Sequence, residues 1–193
     1  MTSRRSLNDS AEEIARLQHA RAQWRHVGDA RPPFAETPGP GQESVWDYPR
    51  PPRIEADRRE IVVRSGDVEI ARTRNALRLL ETASPPTFYL PRADVRPDAL
   101  TAAAGTSHCE WKGEAHYLTV IAGKQRFEAA AWFYPQPELT YAALRDHVAF
   151  YPQQLECLVD DVRVLAQPGR FYAGWITPEL VGPFKGSPGS AGW

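Results

Sequence analysis

The residues with most chemistry to offer fall in one short string, His108-Cys109-Glu110-Trp111-Lys112-Gly113. A thiol beside a basic or cationic neighbour ionises near neutral pH and becomes a nucleophile. Cys109 has His108 on one side and Lys112 three residues on, so it is one candidate nucleophile. Lys112 is a second, or else a compact cation that contacts an acidic or carbonyl group. The chain has 23 basic residues, and only Lys112, Lys124 and Lys185 are lysines. Two of those three stand in the same context, aromatic-Lys-Gly, at Trp111-Lys112-Gly113 and Phe184-Lys185-Gly186. His147, next to Asp146, is the candidate general base; its other reading is a cap on the C-terminal dipole of a short helix. His108, Cys109, His116 and His147 match no ligand spacing, and no CxxC pair exists, so no metal site is expected and the cofactor is undefined. Cys157, inside the apolar run LECLV, reads as core.

The second half is also rich in rings. Trp111, Trp132, Tyr134, Tyr151, Tyr172 and Trp175 stand near Pro or Gly, and aromatic walls with a few polar groups make the usual small-molecule site. The competing reading is that these rings fill a core poor in Leu and Met. The Gly-rich tail, FKGSPGSAGW, fits neither GxxxxGK[ST] nor GxGxxG, so it reads as a terminal loop packed on the domain.

These side chains need a scaffold. Thr106 to Pro137 predicts a central hairpin, Ala115–Ile121 with Arg126–Tyr134, turning at Ala122-Gly123-Lys124-Gln125. It carries the reactive cluster at one end and the aromatic exit Trp132-Phe133-Tyr134 at the other. Glu60–Arg64 and Val68–Arg72 predict a second hairpin across Ser65-Gly66-Asp67. Leu155–Val159 and Val162–Ala166 predict a third across Asp160-Asp161. Asn75–Thr82 reads as a short helix ended by Pro85-Pro86, with Thr87–Leu90 extended after it. Asp98–Ala104 holds a brief helical turn. Glu138–Arg145 reads as another short helix, with Leu139, Ala142 and Ala143 facing inward. The sum is a mainly β, compact single domain of short strands and hairpins with a few short helices.

Ahead of it, residues 1–28 carry an amphipathic helix. Ser10 and Glu13 form a capping box, Ile14, Leu17, Trp24 and Val27 share a face, and Gly28 is the stop. Trp24 predicts that it docks on the domain, and pairing with a second subunit is the alternative use. Residues 29–43 read as a Pro/Gly-rich linker, and residues 44–193 as the domain.

The totals bound the function. A net charge of −1 over 193 residues gives no basic excess for nucleic acid or an anionic membrane. No apolar run approaches the ~20 residues of a membrane span, and no apolar segment follows Arg4-Arg5, so a cytoplasmic protein is expected.

Several strings resemble one known family: SVWDYPRPPRIE, LLETASPPTFYLPRADV, TSHCEWKGEAHYLTV, AAWFYPQP, DHVAFYP and AGWITPELVGPFKGSPGSAGW. Together they resemble the domain-of-unknown-function 427 family, widespread in bacteria and fungi, over roughly residues 43–193. The resemblance implies a compact, mainly β domain similar to the β-tent folds, some of whose relatives bear zinc or bind ligands. This chain lacks the paired CxxC knuckles of those relatives, so their metal does not carry over. A nucleotidyltransferase label attaches to the family, yet no carboxylate pair for two-metal phosphoryl transfer sits in a matching motif. The strings emphasise Cys109, Trp111, Lys112, Gly113, Trp132, Tyr134, His147, Tyr151, Tyr172 and Trp175.

The leading expectation is a small organic molecule bound in an aromatic-lined pocket around the 108–113 loop. An enzyme with Cys109 or Lys112 as nucleophile and His147 as base is the alternative. A protein–protein interaction module, with an oligomer formed through the N-terminal helix, is the third.

Overall fold

A computed structural model describes residues 7–193. One helix, α1 (Leu7–Ala22), precedes the strands β1 (Glu43–Ser44), β2 (Arg53–Asp57), β3 (Ile61–Ser65), β4 (Val68–Thr73), β5 (Ala76–Glu81) and β6 (Ser84–Pro91). There follow β7 (Leu100–Cys109), β8 (Gly113–Ala122), β9 (Gln125–Phe133), β10 (His147–Phe150), β11 (Glu156–Val159) and β12 (Val162–Arg163). The tail adds β13 (Leu165–Ala166), β14 (Trp175–Ile176) and β15 (Leu180–Val181). The fold is mainly β, with short 3-10 turns between strands.

Two sheets carry the domain. A seven-stranded sheet has the order β2-β5-β6-β10-β9-β8-β7, and a four-stranded sheet the order β12-β11-β3-β4. The main core holds Ile61, Val63, Ile70, Cys157 and Val159 of the small sheet with Phe88, Leu90, Val120, Val148 and Phe150 of the large one. Cys157 is buried there, as its apolar run predicts. The opposite face of the large sheet carries a separate cluster, Leu79, Tyr89, Trp111, Ala115, Trp132, Tyr134, Tyr141 and Leu144 among it. That second face carries the candidate site.

The predicted hairpins form, but the third is cut short: its second arm ends at Arg163, and Leu165–Ala166 pairs with β14 instead. Two further differences bear on the site. The β8–β9 register sets His116 opposite Phe133 and Tyr117 opposite Trp132, while β7 and β8 turn at Glu110-Trp111-Lys112. The return of β9 therefore brings Trp132 to Tyr134 to the same end as the reactive cluster, not the opposite one. The second difference is β5, expected as a helix. Its Leu79 and Leu80 are both buried, one in the second-face cluster and one against Trp46. A strand covered on both faces loses the apolar-polar alternation that would mark it. Pro85 and Pro86 do not end an element; they lie within β6 beside a register shift, where a missing N–H costs no regular ladder bond.

The helical expectations shift as well. The 98–104 turn shrinks to a 3-10 turn at Pro97–Ala99 before β7. Leu139–Leu144 is 3-10 rather than α, and it buries Tyr141 and Leu144 while Leu139 is 90% exposed. Helix α1 ends at Ala22, not Gly28. Beyond it the His26 carbonyl accepts from Arg50 Nη1 (2.8 Å) and the Val27 carbonyl from the Arg50 amide (3.0 Å), so these groups serve the domain rather than another helical turn. Gly28 has φ +82°, and a Cβ there would fall 2.1 Å from the Tyr48 carbonyl oxygen. Ile14 and Val27 are exposed, whereas Trp24 packs on the second-face cluster. The side chains of Ser10 and Glu13 lie outside the described residues.

Residues 29–43, linker-like in composition, run along the domain. Arg31 pairs with Asp47 (2.6 Å), the Glu36 amide donates to the Gly182 carbonyl (2.8 Å), and Phe34 stacks on Trp193 (5.2 Å). Among the described residues no helix is long and apolar enough to cross a membrane.

Candidate functional site

The site begins as a cross-strand row. On the second face of the large sheet, Tyr89 and Trp132 both stand opposite Ala149, and Trp132 also stands opposite Tyr117. A small residue between two large ones leaves a hollow, because neighbouring strands hold the flanking rings apart at fixed spacing. The Tyr89 and Trp132 rings meet edge to face at 6.2 Å. Tyr151 tilts against Trp132 at 4.7 Å, and Tyr134 lies 6.4 Å from Tyr89. The resulting cleft encloses about 170 Å³, and Cys109, Lys112, Tyr89, Trp132, Tyr134 and Tyr151 contribute to its lining.

The β7–β8 turn closes the cleft. Gly113 has φ +93°, a conformation open to glycine and costly for other residues. It reverses the chain directly after Lys112, and the Lys112 carbonyl accepts from the Glu138 amide (3.1 Å). The Lys112 side chain turns inward instead of out to solvent. The residue is 8% exposed, and Nζ lies 5.9 Å from the Tyr134 ring centroid. Among the described residues Lys112 makes no ion pair.

Desolvation opposes charge on Lys112, but Cys109, Tyr134, Tyr89 and Glu81 outweigh it, and its pKa moves well above the ordinary lysine value. Burial raises the phenols of Tyr89 and Tyr134. Both hold their protons at neutral pH and act on the ammonium as dipoles. Glu81 brings full negative charge, and it is already bound by Arg50 (3.2 Å). The interior of the cleft is thus rich in donors: one ammonium, two phenols and the Cys109 thiol. The thiol faces the Glu110 carboxylate at 3.8 Å.

The N-terminal segment clamps this turn from outside. Arg21 donates twice to the Glu110 carbonyl (2.9 and 2.6 Å) and lies over the Trp111 ring (5.0 Å). Trp24 Nε1 donates to Glu110 Oε1 (3.1 Å). The Trp24 ring lies between two cations, Arg50 at 4.2 Å and Lys185 Nζ at 3.5 Å. Lys185, only 2% exposed, also lies 5.5 Å from the Tyr172 ring and donates to the Trp193 carbonyl (3.2 Å). Burial, then Arg50, lowers its pKa to about 8. Both lysines of the aromatic-Lys-Gly pattern therefore lie on the same side of the large sheet, one in the cleft and one behind its clamp.

The structure divides the residues predicted for the site. Cys109, Lys112, Trp132, Tyr134 and Tyr151 line one cleft, with His108 beside them. Trp111 packs under Arg21 in the turn, and Tyr172 lies against Lys185. Trp175 lies elsewhere: it is fully buried in the core between the sheets, stacked on Phe88 (5.0 Å), with Nε1 donating to the Phe150 carbonyl (3.1 Å). His147 lines a different hollow, so the cleft does not bring it to Cys109 or Lys112. His116 sits beside Glu114 (2.9 Å) on the surface. Among the described residues no cluster of three or more His, Cys, Asp or Glu side chains converges as a metal site.

Tyr89, Glu81, Tyr117 and Phe171 also line the cleft and are absent from the sequence-based set. A strand reading of residues 76–91 would have found Tyr89, since Thr87 and Tyr89 then share a face.

A family model described as Domain of unknown function (DUF427) matches residues 53–161. The matched stretch spans β2 to β11 and contains Lys112 and five of the rings that line the cleft, Tyr89, Tyr117, Trp132, Tyr134 and Tyr151. Arg21, Trp24 and Lys185 fall outside it. No curated protein matches the chain.

Proposed function

The chain belongs to the domain-of-unknown-function 427 family, and on that premise we propose that it binds a small planar organic acid in the cleft between Lys112 and the Tyr89, Trp132, Tyr134 and Tyr151 rings. The observation that carries this reading is Lys112, an ammonium brought indoors without an ion-pair partner among the described residues. Its neighbours keep it charged against burial, so the cleft holds a fixed positive donor that no carboxylate among the described residues pairs with. Four rings offer faces to a planar body, while the ammonium and two phenols offer donors to its carboxylate or carbonyl. The cleft volume, about 170 Å³, suits a metabolite of about ten heavy atoms rather than a nucleotide.

The test is a thermal-shift screen of small planar carboxylic acids, each run beside its amide. Acids are expected to raise the melting temperature by mass action, amides to raise it far less, and Lys112→Met to erase the difference. Equal shifts from acid and amide, or an unchanged preference in Lys112→Met, would overturn the reading.

A second reading rests on Cys109, whose sulfur faces the same cleft: thiol-dependent chemistry on the bound molecule. Alkylation of Cys109 across pH separates the two. A rate no faster than that of an ordinary exposed thiol at every pH removes it.

A further inference from the structure

The large sheet has a second hollow at the rim of the main core, with Tyr134 standing between it and the cleft and lining both. Leu100, Leu118 and Val148, which belong to the core between the sheets, line it. Phe133, packed against the same core, completes its apolar wall. Its volume is about 530 Å³, within the range of small-molecule sites. It is an unfilled extension of the hydrophobic interior, reached past polar side chains.

Those side chains have one sign in excess. Arg92, Arg145 and His147 line the hollow together with Asp146. Among the described residues neither arginine has a carboxylate at ion-pair distance, and both are exposed at the rim. His147 adds a buried Nδ1 with no hydrogen-bond partner, the kind of orphan that native interiors rarely leave. Burial lowers the His147 pKa, against the pull of Asp146 and Asp94, so the ring is neutral at pH 7. Among the lining side chains two guanidiniums stand against one carboxylate, which favours a monoanion over a dianion.

We infer that the hollow bounded by Arg92, Arg145 and His147 is a second binding site, for a monocarboxylate with an apolar tail. The tail would lie on Leu100, Leu118, Phe133 and Val148. The carboxylate would take hydrogen bonds from Arg92 and Arg145, whose forked donors match its two oxygens, beside the His147 ring at the rim. A phosphate monoester is the poorer fit, because its second negative charge would meet Asp146.

The probe is decanoate, titrated calorimetrically into the full chain below its micelle concentration, with 1-decanol and decyl phosphate as comparators. Decanoate is expected to bind roughly tenfold or more tightly than decanol, and more tightly than decyl phosphate. The double variant Arg92→Ala/Arg145→Ala changes exposed side chains and should fold, yet bind decanoate and decanol alike. Excess benzoate, a planar acid of the class proposed for the cleft, should leave decanoate binding unchanged, which separates this site from the cleft. On binding, the His147 ring nitrogens should shift in long-range proton–nitrogen spectra. No binding at about 1 mM, equal affinity for acid and alcohol, preference for the phosphate, or displacement of decanoate by benzoate would each overturn the inference.

Discussion

Replacing Lys112 with methionine tests the cleft most directly, because it keeps an unbranched side chain of similar length and removes only the charge. Two terms act on the free protein. Desolvation at a position 8% exposed opposes the ammonium, but Cys109, Tyr134, Tyr89 and Glu81 outweigh it and raise its pKa, so the folded chain favours the charged form. Removing the charge therefore costs stability; the attraction to the Tyr134 ring, at 5.9 Å, sets the scale at about 1 kcal/mol. For a chain of 193 residues that lowers the melting temperature by about 2–4 °C.

Affinity should fall as well. A charge-assisted hydrogen bond to a carboxylate contributes about 1.5–3 kcal/mol, so an acid that binds the wild-type cleft should lose roughly ten- to hundredfold in Lys112→Met. Urea denaturation and a calorimetric titration read both quantities on the same preparations. A variant more stable than wild type would refute the stability reasoning, because Glu81 and the phenols would then leave the ammonium uncompensated. An acid bound equally tightly by both proteins would refute the role of Lys112 in binding.

Three further outcomes follow from the geometry. Trp175→Ala should lose about 3–5 kcal/mol, because it empties a fully buried position between the sheets; Trp132→Ala, on the cleft wall, should fold and lose ligand, with denaturant midpoints as the measure. Trp24→Ala removes the ring between Arg50 and Lys185 and the bond to Glu110, so amide exchange at residues 110–112 should quicken and Cys109 should alkylate faster, and unchanged rates would show the clamp to be idle. Lys185, with its pKa lowered to about 8 against about 10.4 when unfolded, makes the unfolded chain hold the extra proton between those values. Stability therefore rises with pH across that window, and the advantage of wild type over Lys185→Met should grow by about 2 kcal/mol between pH 7 and pH 10.

What the sequence made legible was local. Gly123 and the Asp160-Asp161 pair mark their turns because left-handed backbone suits so few residues; Asp160 and Asp161 have φ +47° and +63°, as a tight hairpin demands. The reactive and aromatic strings were legible as strings, yet the hairpin reading set Trp132 and Tyr134 at the end away from Cys109 and Lys112, and only the β8–β9 register brings them together. Strand order was not. Tyr89 was overlooked because β5 and β6, buried on both faces, lack alternation, and the two prolines before it imitate a helix stop. Trp175 was assigned to the cleft because its Gly neighbours look like a loop, yet that loop is what lets the tail insert a ring between the sheets.

The separation of His147 from Cys109 has the same origin, and it changes what the motif means. Adjacent residues in a strand point to opposite faces, so His147, Ala149 and Tyr151 share one side of β10 while Val148 and Phe150 belong to the inter-sheet core. The separation of His147 from the cleft therefore runs along the strand, not through the sheet. The string Asp146-His147-Val148-Ala149-Phe150-Tyr151 serves two hollows: Tyr151, past its far end, lines the cleft, and His147, at its start, lines the other. Its Asp-His pair resembles a poised base on paper. Two hollows apart, it fits the proposed carboxylate rim rather than a partnership with the Cys109 thiol.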